Sequence, residues 1–171
     1  MSAIWYECKV KYKKTHDTGE QKITTDTYLL DAVSYTEAEA RISEEIKAYT
    51  SEEFRIMNIK VANFSEVHPF ENSDRWFKAK VSLVALDEES GKERKTNIYL
   101  LVQANDVKEA FENTTTAMAE TMGDYTIPSI TESPILDVFP YFTGEEEQLE
   151  KFNVIEKAET EEKVTKETEV L

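Results

Sequence analysis

Trp5-Tyr6-Glu7-Cys8-Lys9-Val10 and Trp76-Phe77-Lys78-Ala79-Lys80-Val81 are two versions of one segment, at an offset of 71. The same offset joins Tyr28-Leu29-Leu30 to Tyr99-Leu100-Leu101, and it carries Phe54–Phe70 onto Tyr125–Tyr141 without a gap. Between these blocks the register slips by one: Gly19 matches Gly91, and Glu37-Ala38 matches Glu109-Ala110. One offset shared by three separated blocks marks an internal repeat.

Each copy reads alike. Trp5 to Lys14 alternates apolar and polar residues, the period of a half-buried strand. Asp17-Thr18-Gly19 and Glu89-Ser90-Gly91 are turn signals, and the β-branched run Lys22–Ala32 closes a hairpin. Ser34-Tyr35-Thr36-Glu37 is a capping box, and Asp106-Val107-Lys108-Glu109 is a weaker one. Ala38, Ile42, Ile46 and Tyr49 then share a helical face. In copy two the expected face is Val107, Ala110, Phe111, Met118 and Met122, with Gly123 as the stop. The last stretch of each copy is extended and is bent or split at Asn63 and Pro134.

The expected fold is therefore α+β: a tandem duplication of a strand-strand-helix-strand unit that forms an intrachain pseudo-dimer. Units 1–70 and 71–142 make one fused body, because about 70 residues alone support only a marginal core. The linker Glu71–Arg75 is also short. Residues 143–171 are expected to be an acidic, disordered C-terminal tail. Leu149, Phe152 and Ile155 form a weak stripe there, and the residues beyond it lack a core-forming pattern.

The net charge is −15, and residues 144–171 hold ten acids against four lysines. The remaining body is still acidic, which argues against tight duplex-DNA binding, where cations dominate affinity. The single cysteine, Cys8, rules out an intrachain disulfide. Neither a signal segment nor a membrane span is visible, so a cytoplasmic protein is expected. The four glycines are widely spaced and offer no phosphate cradle. His16, His68 and Cys8 are not spaced as a metal site. Cys8 alternates with core positions and has Ala79 as its counterpart. Nothing singles out a pair of carboxylates. No catalytic residue, metal or cofactor is expected.

The opposite face of the first strands is more specific. It carries Trp5, Glu7, Lys9, Lys11 and Lys13 in copy one, and Trp76, Lys78, Lys80 and Ser82 in copy two. Tyr28 and Tyr99 are expected to join it, with Lys22, Arg94 and Lys95 at its margin. Rings interleaved with cations on a sheet suit single-stranded DNA or RNA: bases stack, and cations follow the phosphates. The competing expectation is that Trp5 and Trp76 pack against the helices or each other, leaving the lysines as edge protection. Three functions compete: a single-strand binder regulated by its acidic tail, a protein-interaction or adaptor module, and, third, an enzyme with a carboxylate-based site. The adaptor would use that tail or an exposed strand edge.

Trp5-Tyr6, Lys9-Val10, Tyr28-Leu29, Glu37-Ala38-Glu39-Ala40-Arg41, Asp74-Arg75-Trp76 and Gly91-Lys92-Glu93 together resemble a family of small proteins from Bacteroidetes and their phages, described as a domain of unknown function. The resemblance covers about residues 4–142 and implies a cytoplasmic bacterial or phage protein, with no activity to carry over. At fold level, two fused sheet-and-helix units are similar to Whirly-type single-strand binders, an analogy only. Those place the helix after four strands, whereas here it follows two.

Overall fold

The alternation over Ile4–Thr15 builds strand β1, which turns through His16–Glu20 into β2, Gln21–Ala32. Gly19 takes φ +81°, and its N–H donates to the His16 carbonyl at 2.8 Å. Glycine adopts that conformation without Cβ strain. Helix α1 (Tyr35–Tyr49), β3 (Phe54–Val61) and the short β4 (Glu66–His68) follow. The second half repeats this order as β5 (Arg75–Leu86), β6 (Glu93–Ala104), α2 (Val107–Ala117), β7 (Asp124–Ser133) and β8 (Ile135–Phe139). These elements belong to a computed structural model that describes residues 3–50 and 52–140. The acidic tail and its Leu149, Phe152 and Ile155 lie outside the described residues. Met1–Val138 clusters as one compact unit containing most of both halves.

The two halves are interlocked. One sheet has the strand order β3-β1-β2-β8 and the other β4-β6-β5-β7, so each takes its short strand from the opposite half. The first crossing is abrupt. Ala62 N–H donates to the Trp5 carbonyl in one sheet, and Ser65 N–H donates to the Tyr99 carbonyl in the other, both at 2.8 Å. Strand β4 then pairs parallel with β6, placing Val67 opposite Leu101. Pro134 marks the matching crossing. It lacks an N–H and cannot continue the β7 ladder past Ser133, so β8 begins afresh at Ile135. The expected breaks at Asn63 and Pro134 are where the chain changes sheets.

Both third strands carry a bulge at matching positions. The register skips Met57 between β1 and β3, and it skips the Ile127-Pro128 region between β5 and β7. A proline that cannot donate to a ladder is tolerated at such a site.

The second hairpin turn, Asp87–Lys92, is one residue longer than the first. This shifts β6 to an offset of 72: Trp5 faces Asp31, whereas Trp76 faces Gln103. By ladder position Tyr28 therefore corresponds to Leu100, and Tyr99 to Thr27. Equating Tyr28 with Tyr99 is corrected accordingly, because a slip of one residue sends a side chain to the other face of the sheet.

Helix α1 is capped as expected. The Ser34 hydroxyl accepts from Glu37 N–H at 3.2 Å, while the Glu37 carboxylate accepts from Val33 N–H at 3.0 Å. It buries Ala38, Ile42 and Ile46 on the side of the sheet where Tyr6, Cys8, Val10 and Leu30 are also buried. Helix α2 starts at Asp106, whose carboxylate accepts from Glu109 N–H at 2.7 Å. Its buried stripe is Ala110, Thr114 and, just past the helix, Met118, on Phe77, Ala79, Leu100 and Val102. Val107, Phe111 and Met122 are exposed, contrary to expectation. The stripe is disguised by Thr114, whose hydroxyl donates to the Ala110 carbonyl at 2.6 Å. A hydroxyl satisfied in this way can be buried. Met122 lies beyond the helix end.

Cys8 is fully buried opposite Tyr28, and burial, reinforced by the charge of Glu7, pushes its thiol up to about 12. It is a packing residue that holds its proton.

A phenol cluster ties α1 to the strand donated by the other half. The Tyr28 and Tyr49 rings lie 6.3 Å apart, and the Tyr49 hydroxyl donates to the Asp137 carboxylate at 2.8 Å. Tyr12 donates to Asp26 nearby. That bond to Asp137, with burial second, raises the Tyr49 phenol to about 12. Burial chiefly raises Tyr28 and Tyr12 as well. A phenol held protonated only in the folded state contributes stability that is full below its unfolded value, about pH 10. For Tyr49 that stability is lost as pH rises from about 10 toward 12. Urea midpoints measured across that window should fall, and Tyr49→Phe should make the fall shallower. The Tyr49 side chain is largely open to water, which screens the effect. At neutral pH the variant should lose no more than about 0.5–1.5 kcal/mol, the usual net value of one hydrogen bond. An unchanged alkaline slope in Tyr49→Phe would show that the latch contributes nothing.

Candidate nucleic-acid interface

The helices cover one face of each sheet, so the other faces are where a ligand surface can form. Ladder pairing assigns every strand residue to a face. On the helix-free side of the first sheet, β1 places Trp5, Glu7, Lys9, Lys11 and Lys13, and β3 adds Lys60 and Arg55 beside Glu7 and Lys11. On the second sheet, β5 places Trp76, Lys78, Lys80 and Ser82, and β6 adds Lys95, Asn97 and Tyr99. Strand β7 contributes Thr126, Ser129 and Thr131, hydroxyl side chains without charge. The strand acids on these faces are Glu7, Glu93 and Asp124, while Asp31 at the end of β2 pairs with Arg41 of α1 at 3.4 Å. Glu7 is centrally placed and is paired with Lys60 at 3.7 Å; the others sit toward strand ends.

Toward one end the two helix-free faces close on each other. Leu29, Trp76, Leu101 and Ile135 form a buried cluster, with Trp5, Phe64 and Val67 packed partly against it. Trp76 is only 4% exposed and offers no ring to a ligand. Trp5 is half-buried in the same cluster. The symmetric pair of stacking tryptophans is thus corrected: the rings help to join the sheets, because large apolar surface is more stable between them than in water.

Of the other expected residues, Lys9, Lys11, Lys13, Lys78 and Lys95 are exposed on the helix-free faces, and Lys80 is half-buried there. Tyr99 is on the face, half-buried, opposite Lys80. Tyr28 is 1% exposed and points to the helix side, so it leaves the site. Arg94 is exposed but pairs with Ala85 on the helix side, next to the face rather than in it.

Three residues are gained: Arg55, Lys60 and Phe64. The cations come into line with β1 only through a register containing the Met57 bulge. Phe64 arrives through the crossing between sheets. The Lys78 ammonium sits 4.5 Å from the Tyr99 ring centroid and 5.7 Å from that of Phe64. Both rings are within cation–π reach. Two open grooves of about 490 Å³ flank this surface. Lys11, Lys13 and Arg55 line one together with Ile23 and the acids Glu52 and Glu53, and Ile4, Trp5, Val61 and Phe64 line the other. His68 is engaged with the Glu66 carboxylate at 2.6 Å, away from His16 in the hairpin turn. Among the described residues no cluster of His, Cys, Asp and Glu is arranged to hold a metal ion, and no helix is long and apolar enough to cross a membrane.

Fold and face together define an α+β protein with two four-stranded sheets, helices on their outer sides and a lysine-rich surface on the others. The chain belongs to the family described as a domain of unknown function, DUF4494, whose model matches residues 4–141. No curated protein and no solved structure matches it.

The different burial of the two tryptophans has a measurable consequence. Trp76→Ala should cost about 3–5 kcal/mol in urea unfolding, the range for a buried large aromatic ring. Trp5→Ala should cost distinctly less. Equal losses, or the reverse order, would contradict the packing described here.

Proposed function

We propose that this protein is a non-enzymatic binder of single-stranded nucleic acid, and that the strand follows the lysines of the helix-free faces. The observation that supports this reading is the segregation of charge. In a chain of net charge −15, Lys9, Lys11, Lys13, Arg55, Lys60, Lys78 and Lys80 occupy one side of the strands. Glu39, Glu44, Glu45 and Glu112 lie on the helices, and Glu39, Glu44 and Glu112 are exposed. A cationic strip within an acidic surface focuses a polyanion onto the strip and repels it elsewhere. The half-buried rings of Trp5, Phe64 and Tyr99 add stacking, which tolerates any base. The acidic tail then competes with nucleic acid for the lysines. A cytoplasmic setting in a bacterium or phage belongs to the same proposal.

The second reading is an adaptor that adds a partner's strand to β3 or β7, the edge strands formed wholly within their own halves. The bulges at Met57 and Pro128 interrupt these edges, a common device against such pairing, so this reading is less favoured.

Anisotropy titrations with labelled oligothymidylate at low and physiological salt test the proposal. Replacing Lys9, Lys11 and Lys13 by Gln should weaken binding. It should also reduce the salt slope by roughly 0.7 for each phosphate no longer neutralised. Absence of binding at low salt after removal of residues 144–171 would retire this function in favour of the adaptor.

A further inference from the structure

We infer that the groove at the first crossing is a pocket for a single unpaired nucleobase, present in one half of the protein and closed in the other. The inference rests on the single-strand reading above and specifies where a base, rather than a phosphate, is held.

The repeat allows each residue of the groove to be compared with its counterpart. Around Ala62–Ser65 the groove measures about 490 Å³, and its walls include the half-buried rings of Trp5 and Phe64. That volume is within the range of small-molecule sites. At the second crossing the corresponding residues are Trp76 and Ile135, each 4% exposed, and Pro134 stands where Asn63 stands in the first. One crossing is sealed by packing; the other keeps two aromatic rings at an open surface.

The surrounding charges diverge in the same direction. Lys78, over the Phe64 and Tyr99 rings, occupies the ladder position that Glu7 holds in the other sheet, and Tyr99 occupies that of Thr27. Lys60 follows the first sheet to the rim, next in sequence to Val61 of the groove wall. Rings at an open surface expose apolar area at a cost in water, and that cost is recovered when a flat ligand covers them. Among flat ligands, a base carries its own phosphate, and Lys78, 5.7 Å from the Phe64 ring centroid, is a cation beside the groove wall. The exposed amide of Asn63 offers a donor and an acceptor to the edge of the base. A purely apolar peptide would bring no charge to Lys78; Lys60 is already paired with Glu7 at 3.7 Å. The groove therefore suits one nucleotide of a strand whose other phosphates run along the β1 lysines.

The test uses the full chain at low salt and two labelled strands of equal length, oligothymidylate and its abasic analogue, which differ in bases but not in phosphates. Tryptophan emission is read together with anisotropy. Trp5 is the accessible one of the two tryptophans, so quenching on binding reports the groove. Oligothymidylate should quench, and the abasic strand should bind at least roughly fivefold more weakly without quenching, as expected for loss of one stacked base. Phe64→Leu should reduce the affinity for oligothymidylate to near that of the abasic strand. Equal binding of both strands without quenching would overturn the pocket and leave the electrostatic reading standing. Binding of neither strand would overturn both. The wild-type comparison of the two strands decides the matter even if Phe64→Leu is poorly folded.

Discussion

The exchange of short strands at Ala62–Ser65 and at Pro134 is the constraint on which the rest of the structure depends. Each half supplies three strands and a helix to its own sheet, and then gives its last strand to the other. Neither sheet is complete without the opposite half. The crossing also brings Phe64 beside Lys78 and sets Val67 opposite Leu101, so core and surface are built by the same step. A unit of this size buries too little apolar area to be secure alone. The interlock joins two such units through the cluster of Leu29, Trp76, Leu101 and Ile135.

This arrangement explains why Trp76 is buried and Trp5 only half-buried. The sheets meet where Trp76 and Ile135 fill the space between them, and Trp5 and Phe64 sit at the margin of that cluster. Farther along β1 the lysines stay exposed. The proposed binding surface is therefore the unpacked remainder of two faces whose apolar ends are consumed by the fold. Its cations are few, but the acids lie mostly elsewhere, and local potential rather than net charge governs where a polyanion settles.

The alternation in Trp5–Lys14, the capping box at Ser34 and the offset repeat made the elements and their order legible from sequence. The faces of the first strands were legible for the same reason, since side chains alternate strictly along a ladder. The register of β6 was hidden, because it depends on the length of a turn. The chance identity of Tyr28 and Tyr99 at an offset of 71 concealed an actual offset of 72. The buried stripe of α2 was hidden by Thr114, a polar letter that becomes a core residue once its hydroxyl bonds the Ala110 carbonyl. The exchange of strands is set by tertiary pairing; Asn63 and Pro134 reveal a break but not where the chain goes afterwards. Phe64, Arg55 and Lys60 enter the site only through that crossing and through a bulge, which is why composition and periodicity pass over them.

Interlocked sheets should unfold together. Differential scanning calorimetry of the full chain measures this directly, by comparing the calorimetric enthalpy with the van't Hoff enthalpy of the same transition. The account predicts one transition in which the two agree. Two transitions, or a calorimetric enthalpy about twice the van't Hoff value, would mean that the halves melt as separate units and that the exchanged strands do not bind them into one cooperative fold.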